Sequence, residues 1–175
     1  MTYPSLLSRG ALAISLIGAT LPAAAARIEI QGGRSYMDSY GANSAFVEVL
    51  LDAHRIGDSR FRWSPDVSLG WIDSRHIDRF RYSRFGTNTA IWLVAGGARL
   101  HYGEPGDWYF PLFYSFQGAL LSGRSQALSS TGQFVNTVGW QGQRWSFQIR
   151  HISNGGLHDP NRGETSALVG LAFDI

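Results

Sequence analysis

The chain has 175 residues, with 15 basic side chains (all Arg) against 13 acidic ones, for a formal net charge of +2. That length suits one domain with enough chain for a core or a closed barrel, and so even a balance argues against a nucleic-acid partner, which calls for a concentrated positive field. The absence of Cys excludes a disulfide scaffold, a zinc ribbon, an iron–sulfur protein and a thiol nucleophile, and the 44% hydrophobic and 13% aromatic content argues against disorder.

Met1 to Ala26 reads as a secretory signal peptide. Arg9 supplies a weak positive start, Ala11 to Leu21 is apolar, and Ala24-Ala25-Ala26 offers a small-residue cleavage site. The apolar stretch is too short to span a bilayer comfortably, since a spanning helix needs about 20 such residues. The expected domains are therefore a leader over 1–26 and a mature body over 27–175.

The mature chain alternates. Phe61, Trp63, Val67, Leu69 and Trp71 share one face against Arg62, Ser64, Asp66 and Ser68. Trp145, Phe147 and Ile149 oppose Ser146, Gln148 and Arg150, and Val169, Leu171, Phe173 and Ile175 again share a side. Period two is the mark of a strand with one greasy and one polar or small face. Eight such segments follow in order, over about 27–37, 43–54, 61–72, 88–100, 110–121, 134–141, 145–153 and 165–175. Most approach the 9–11 residues that a tilted transmembrane strand requires.

The expected fold is all-β: an eight-stranded antiparallel transmembrane β-barrel of the outer-membrane type. Trp63, Trp71, Trp92, Trp108, Trp140 and Trp145 stand mostly near strand ends, as interfacial girdles do. A periplasmic β-sandwich or lipocalin-like barrel also alternates, but with its greasy face inward. With both termini in the periplasm, the long connections 73–87, 122–133 and 154–164 face outward, together with 38–42. Arg62, Arg99 and Arg150 with Asp66 and Glu48 are expected to fill the narrow lumen, so no pore is expected. The pairs Gly32-Gly33 and Gly96-Gly97 read as close-packing or bulge sites, because no helix follows either.

Chemistry concentrates in His151-Ile152-Ser153-Asn154-Gly155-Gly156-Leu157 and Pro160-Asn161-Arg162-Gly163-Glu164. His151 and Ser153 leave the same face of a strand, about 7 Å apart at the backbone. They share the odd, lipid-facing parity of Phe147 and Ile149, where polar groups cost solvation energy unless they work or sit at headgroup level. Ser becomes a nucleophile when a base takes its proton, and His suits that role near neutral pH. Glu164 is the nearest carboxylate for the second ring nitrogen, and Asn154 with the amides of the Gly155-Gly156 bend can supply oxyanion donors. Such a set facing lipid points to hydrolysis of a lipid acyl ester, and lipopolysaccharide is the abundant one at the outer rim of an outer membrane.

This run resembles the lipid A 3-O-deacylase (PagL) family, whose members are eight-stranded outer-membrane barrels with a His-x-Ser-Asn motif near the C-terminus. The resemblance implies His151 as general base, Ser153 as nucleophile, Glu164 as acid member, Asn154 and Gly156 as oxyanion hole and Asn161 as a supporting residue. It implies removal of the 3-hydroxyacyl chain esterified at position 3 of lipid A in the outer membrane of a Gram-negative bacterium, with no metal or cofactor. It also implies an acid one residue farther from the His than Glu164 stands. Glu164 has the even, lumen-facing parity of Ser166 and Leu168 unless a bulge at the loop–strand junction turns it back; Asp159 is the alternative acid.

Rival readings are a non-enzymatic barrel that binds lipopolysaccharide or a surface, and another lipid enzyme such as a phospholipase or acyltransferase. His and Ser can also be plain interfacial residues. His54, His76, His101 and His158 are scattered without metal-ligand spacing. Arg75, Arg79, Arg81 and Arg84, interleaved with Phe80, Tyr82 and Phe85, are either a solvated loop or a grip on lipid A phosphates. Acyl-length preference and a homodimer are left open by the sequence.

Overall fold

The computed structural model describes residues 26–175, so the expected leader lies outside the described residues except for Ala26. The strands are β1 (Arg27–Met37), β2 (Tyr40–Leu50), β3 (His54–Arg55), β4 (Phe61–Ile72), β5 (Ile91–Tyr102), β6 (Leu112–Leu121), β7 (Gly132–Gln141), β8 (Trp145–Ser153) and β9 (Glu164–Asp174). Sequential neighbours pair antiparallel, except β2 and β3. β1 also pairs with β9, and β2 with β4, from Ser44↔Ile72 to Leu50↔Asp66. The ring is thereby closed, and β3 is only a two-residue ribbon against Trp63 and Arg62 of β4. This is an eight-stranded antiparallel barrel, which leaves no long edge to pair with another chain.

The strand bounds follow the alternation with local corrections. β2 starts at Tyr40 rather than 43 because Asp38, at φ 53, and Ser39 close a tight hairpin where a longer outer connection was expected. β5 starts at Ile91, so the connection 73–90 carries its own 3-10 turn, Asp78–Phe80. Gly33 and Gly97 sit in unbroken register, so they are close-packing sites, not bulges. A Cβ at Gly33 would lie 1.9 Å from the Ala167 carbonyl oxygen, and one at Gly97 2.0 Å from that of Phe116.

Burial is inverted relative to a water-soluble barrel. Ile30, Val47, Leu69, Val94, Leu120, Val169 and Leu171 are exposed on the outer wall, while Glu29, Gln31, Glu48, Asp66, Arg99, Gln148 and Arg150 are buried in the lumen. An apolar wall around a polar interior suits a hydrocarbon surround. Arg99 lies 3.3 Å from Glu29 and 3.1 Å from Glu48, and Arg150 lies 2.9 Å from Glu48. Their guanidinium groups also stack on Phe113 and Phe46, at 3.9 and 4.4 Å from the ring centroids. The lumen is therefore filled by paired charges. Arg62 is not among them: near the turn end of β4 it meets Glu104 at 2.9 Å instead.

Trp71 and Trp92 are cross-strand partners near one end of the barrel; Trp63, Trp108, Trp140 and Trp145 gather at the other, where Ala26 and Ile175 pair through their backbones. The end away from the termini is capped by an apolar cluster. Ile77, Phe80, Ala127 and Leu128 from two loops pack with Met37, Phe46, Ile72, Leu93, Ile152 and Leu168 from the strands. Each such large side chain contributes about 1.5–3 kcal/mol on burial, which steadies the strand ends that carry the site.

Candidate active site

β8 turns Trp145, Phe147, Ile149 and His151 outward while Ser146, Gln148, Arg150 and Ile152 go inward. Ser153, next in the outward series, is half-buried at the strand's end, and its hydroxyl makes no hydrogen bond among the described residues. His151 pairs across the sheet with Asn136 of β7 on one side and Thr165 of β9 on the other. Its Nδ1 lies 3.0 Å from Thr165 Oγ1. Asn136 Oδ1 accepts a hydrogen bond from the Tyr114 hydroxyl at 2.6 Å, so a polar stripe crosses the otherwise apolar wall. Gly163, at φ +71, makes room for the ring: a Cβ there would stand 2.7 Å from His151 Cε1 and 3.2 Å from Nε2.

The loop after Ser153 folds around Asn154. That side chain is buried, and its Nδ2 donates to Ser129 Oγ at 3.0 Å and to the His158 carbonyl at 2.8 Å. Its Oδ1 accepts from the Gly156 amide at 2.9 Å, and its own backbone N–H donates to Asn161 Oδ1 at 3.2 Å. Both expected oxyanion donors thus hold the loop together in this structure. The Gly155 amide has no partner among the described residues. Asn161 buttresses Asn154 through the backbone.

Glu164 is not beside His151. It keeps the even parity of Ser166 and Leu168 and is buried in the lumen. There it forms a two-pronged ion pair with Arg75, one prong at 2.8 Å, and accepts a hydrogen bond from Ser35 Oγ at 2.6 Å. No bulge turns it outward, because Ile152↔Glu164 and His151↔Thr165 are consecutive pairs of an intact ladder. Asp159 is exposed and forms no ion pair among the described residues. The structure therefore gathers His151, Ser153, Asn154, Gly156 and Asn161 at one rim and separates Glu164 from them. Thr165 was not singled out from the sequence, yet it shares the odd parity of Val169 and Leu171 and so had to leave the same wall as His151.

A cavity of about 490 Å³ lies against the outer wall beside Ser153's cross-strand partner Phe134, with Gly118, Leu120, Gly132 and Leu157 as apolar lining and Arg124 and His158 at its polar margin. The arginines of the long loop divide. Arg75 is turned into the lumen, and Arg79 meets Asp38 at 2.8 Å, as does Arg162 at 2.7 Å. Arg81 and Arg84 stay exposed over Tyr82 and Phe85, with no carboxylate partner among the described residues.

A barrel with a greasy outside, a charged and closed inside, and a His–Ser pair on its outer wall is of the outer-membrane kind, with polar chemistry turned toward the membrane. The model of the lipid A 3-O-deacylase (PagL) family matches residues 45–174, a span holding most of the barrel and the whole rim. The chain belongs to the lipid A 3-O-deacylase (PagL) family. Among solved structures it is similar to a crystal structure of the outer membrane enzyme PagL. Identity is 14%, 85% of this chain and 99% of that one are covered, and the TM-score is 0.58, a likeness of fold. No curated protein matches the chain.

Proposed function

We propose that this chain is exported by way of a cleaved leader, residues 1–26, to the outer membrane of a Gram-negative bacterium. There it hydrolyses the ester that holds the 3-hydroxyacyl chain at position 3 of lipid A. The observation that carries this reading is the placement of His151 and Ser153. Both stand on the hydrocarbon-facing wall at the loop end, and Ser153's cross-strand partner Phe134 lines the cavity of about 490 Å³ that opens on that wall. A soluble substrate has no reason to approach from that side.

In this mechanism Ser153 Oγ attacks the ester carbonyl and its proton passes to His151 Nε2, the ring nitrogen left free when Nδ1 is engaged. The tetrahedral oxyanion is met by the Gly155 amide, and by Asn154 Nδ2 and the Gly156 amide once they exchange their present loop partners for it. Collapse breaks the bond to the sugar oxygen, which leaves with the proton from His151 as an alcohol. Water then attacks acyl-Ser153 with His151 again as base, releasing a 3-hydroxy fatty acid and restoring the serine. No step calls on a metal or cofactor.

Mass spectrometry of lipid A incubated with the wild type and with Ser153→Ala tests the reading. The wild type should remove one 3-hydroxyacyl chain, and the variant should be slower by at least a thousandfold, about 4 kcal/mol of barrier. Lipid A left intact by folded wild-type barrel would sink it. That result would favour the rival barrel, which only binds lipopolysaccharide, through the exposed Arg81 and Arg84.

A further inference from the structure

We infer that Thr165 is the positioning residue for His151, doing with a neutral hydroxyl what a carboxylate does for an imidazole base. The inference rests on the proposed roles of His151 and Ser153, and it assigns the third member of that set.

His151 and Thr165 are directly opposed across β8 and β9, and the ladder continues to Trp145↔Leu171, so the pairing is fixed by strand register and not by a mobile loop. Thr165 Oγ1 stands 3.0 Å from Nδ1. A hydroxyl has two lone pairs and one proton, so it can accept the Nδ1–H while its own proton turns elsewhere. That arrangement leaves the Nε2 lone pair free to take a proton, the tautomer a general base requires. Branching at Cβ restricts χ1 of Thr, which holds the acceptor in place better than a straight chain would.

Neither carboxylate nearby competes for the role. Glu164 exits the opposite face and is taken up by Arg75 and Ser35; Asp159 lies exposed on the loop. The surroundings also favour a neutral partner. Thr165 and His151 both face the outer wall, where an ionised side chain carries a desolvation penalty that a hydroxyl largely escapes.

The test compares full-length wild type with Thr165→Val, which keeps the shape and removes the hydroxyl, and with Thr165→Ser, which restores it. All are refolded in micelles and assayed on lipid A, with Ser153→Ala alongside. Thr165→Val should lower kcat on the order of tenfold to a hundredfold with KM changed by no more than about twofold, and Thr165→Ser should recover most of the loss. Nitrogen-15 spectra of the labelled imidazole read the same contact without turnover. The wild type should carry its proton on Nδ1, and Thr165→Val should lose that preference. Full kcat in Thr165→Val, or a wild-type ring protonated on Nε2 alone, overturns the inference. A wild type no more active than Ser153→Ala overturns the deacylase reading instead, and the spectra still decide the contact.

Discussion

Glu164 offers the sharpest test of what the barrel does with its charges. Its side chain is 2% exposed, that of its partner Arg75 is 8% exposed, and Arg75 Nη2 also donates to the Ser35 carbonyl at 3.1 Å. Glu164→Gln removes the charge and keeps the shape, leaving a buried guanidinium without its counter-ion. Removing one partner of a buried pair costs roughly 3–5 kcal/mol, and about 3 is expected here because the Gln carbonyl still accepts one hydrogen bond. With a urea slope of about 2 kcal/mol per molar, the unfolding midpoint in micelles, followed by Trp fluorescence, should fall by about 1.5 M. Replacing both partners, Arg75→Met with Glu164→Leu, should recover much of that stability, since two apolar side chains leave no orphaned charge. Deacylation by folded Glu164→Gln should stay within about twofold of wild type. A hundredfold loss of kcat in a folded barrel with an unmoved midpoint would refute this, and would return Glu164 to the reacting set.

Two further outcomes follow from the turns. Glu104 is held below the usual carboxylate range mainly by its hydrogen bond from Arg62, and Asp107 mainly by the Glu104 backbone N–H, with Arg60 nearby. Carboxyls with depressed folded pKa values stabilise the fold fully above their unfolded values, about 4, and that contribution is lost as pH falls through the folded ones. The melting temperature of the wild type should therefore drop more steeply below about pH 4 than that of Glu104→Gln with Asp107→Asn; parallel curves would contradict the assignment. Gly163→Ala sets a methyl 2.7 Å from His151 Cε1 at a φ of +71, so the ring must move. Stability should fall by about 1–2 kcal/mol and kcat by roughly tenfold or more, whereas an unchanged kcat would mean that the ring does not work from this position.

The barrel was legible in the sequence because one rule, side-chain parity, is imposed by a single physical fact, lipid outside and packed polar groups inside. Phe147 and Ile149 against Gln148 and Arg150 state that rule within a few residues, and an even number of such strands lets the sheet close. The hairpin at Asp38 was hidden, since its turn uses a non-glycine residue at positive φ that no glycine announces. The partners of Arg75 and Arg62 were hidden for another reason: Arg75 finds Glu164 across 89 positions of chain, and only the closed ring brings the two together. At the rim, the same parity marked His151 and Ser153 as outward-facing, and the structure has His151 exposed and Ser153 half-buried on that side. The engagement of Asn154 with Ser129 and His158 depends on how two loops pack, which no local pattern records.

Parity also decides why Glu164 cannot simply rotate into service. β9 is held on both sides, by β8 from Ile152↔Glu164 onward and by β1 from Tyr36↔Thr165 onward. A one-residue slip that brought Glu164 to the outer wall would carry Ser166 and Leu168 out with it and drive Val169, Leu171 and Phe173 into the lumen among Glu29, Gln31 and Gln148. That exchange would bury three large side chains among charges and is far costlier than any single contact at the rim returns. A local bulge remains the alternative, and Gly163 is the residue free enough to start one. Yet its positive φ already serves a different end, seating the His151 ring where a side chain would stand. The same geometry that excludes the carboxylate therefore presents Thr165 to the imidazole.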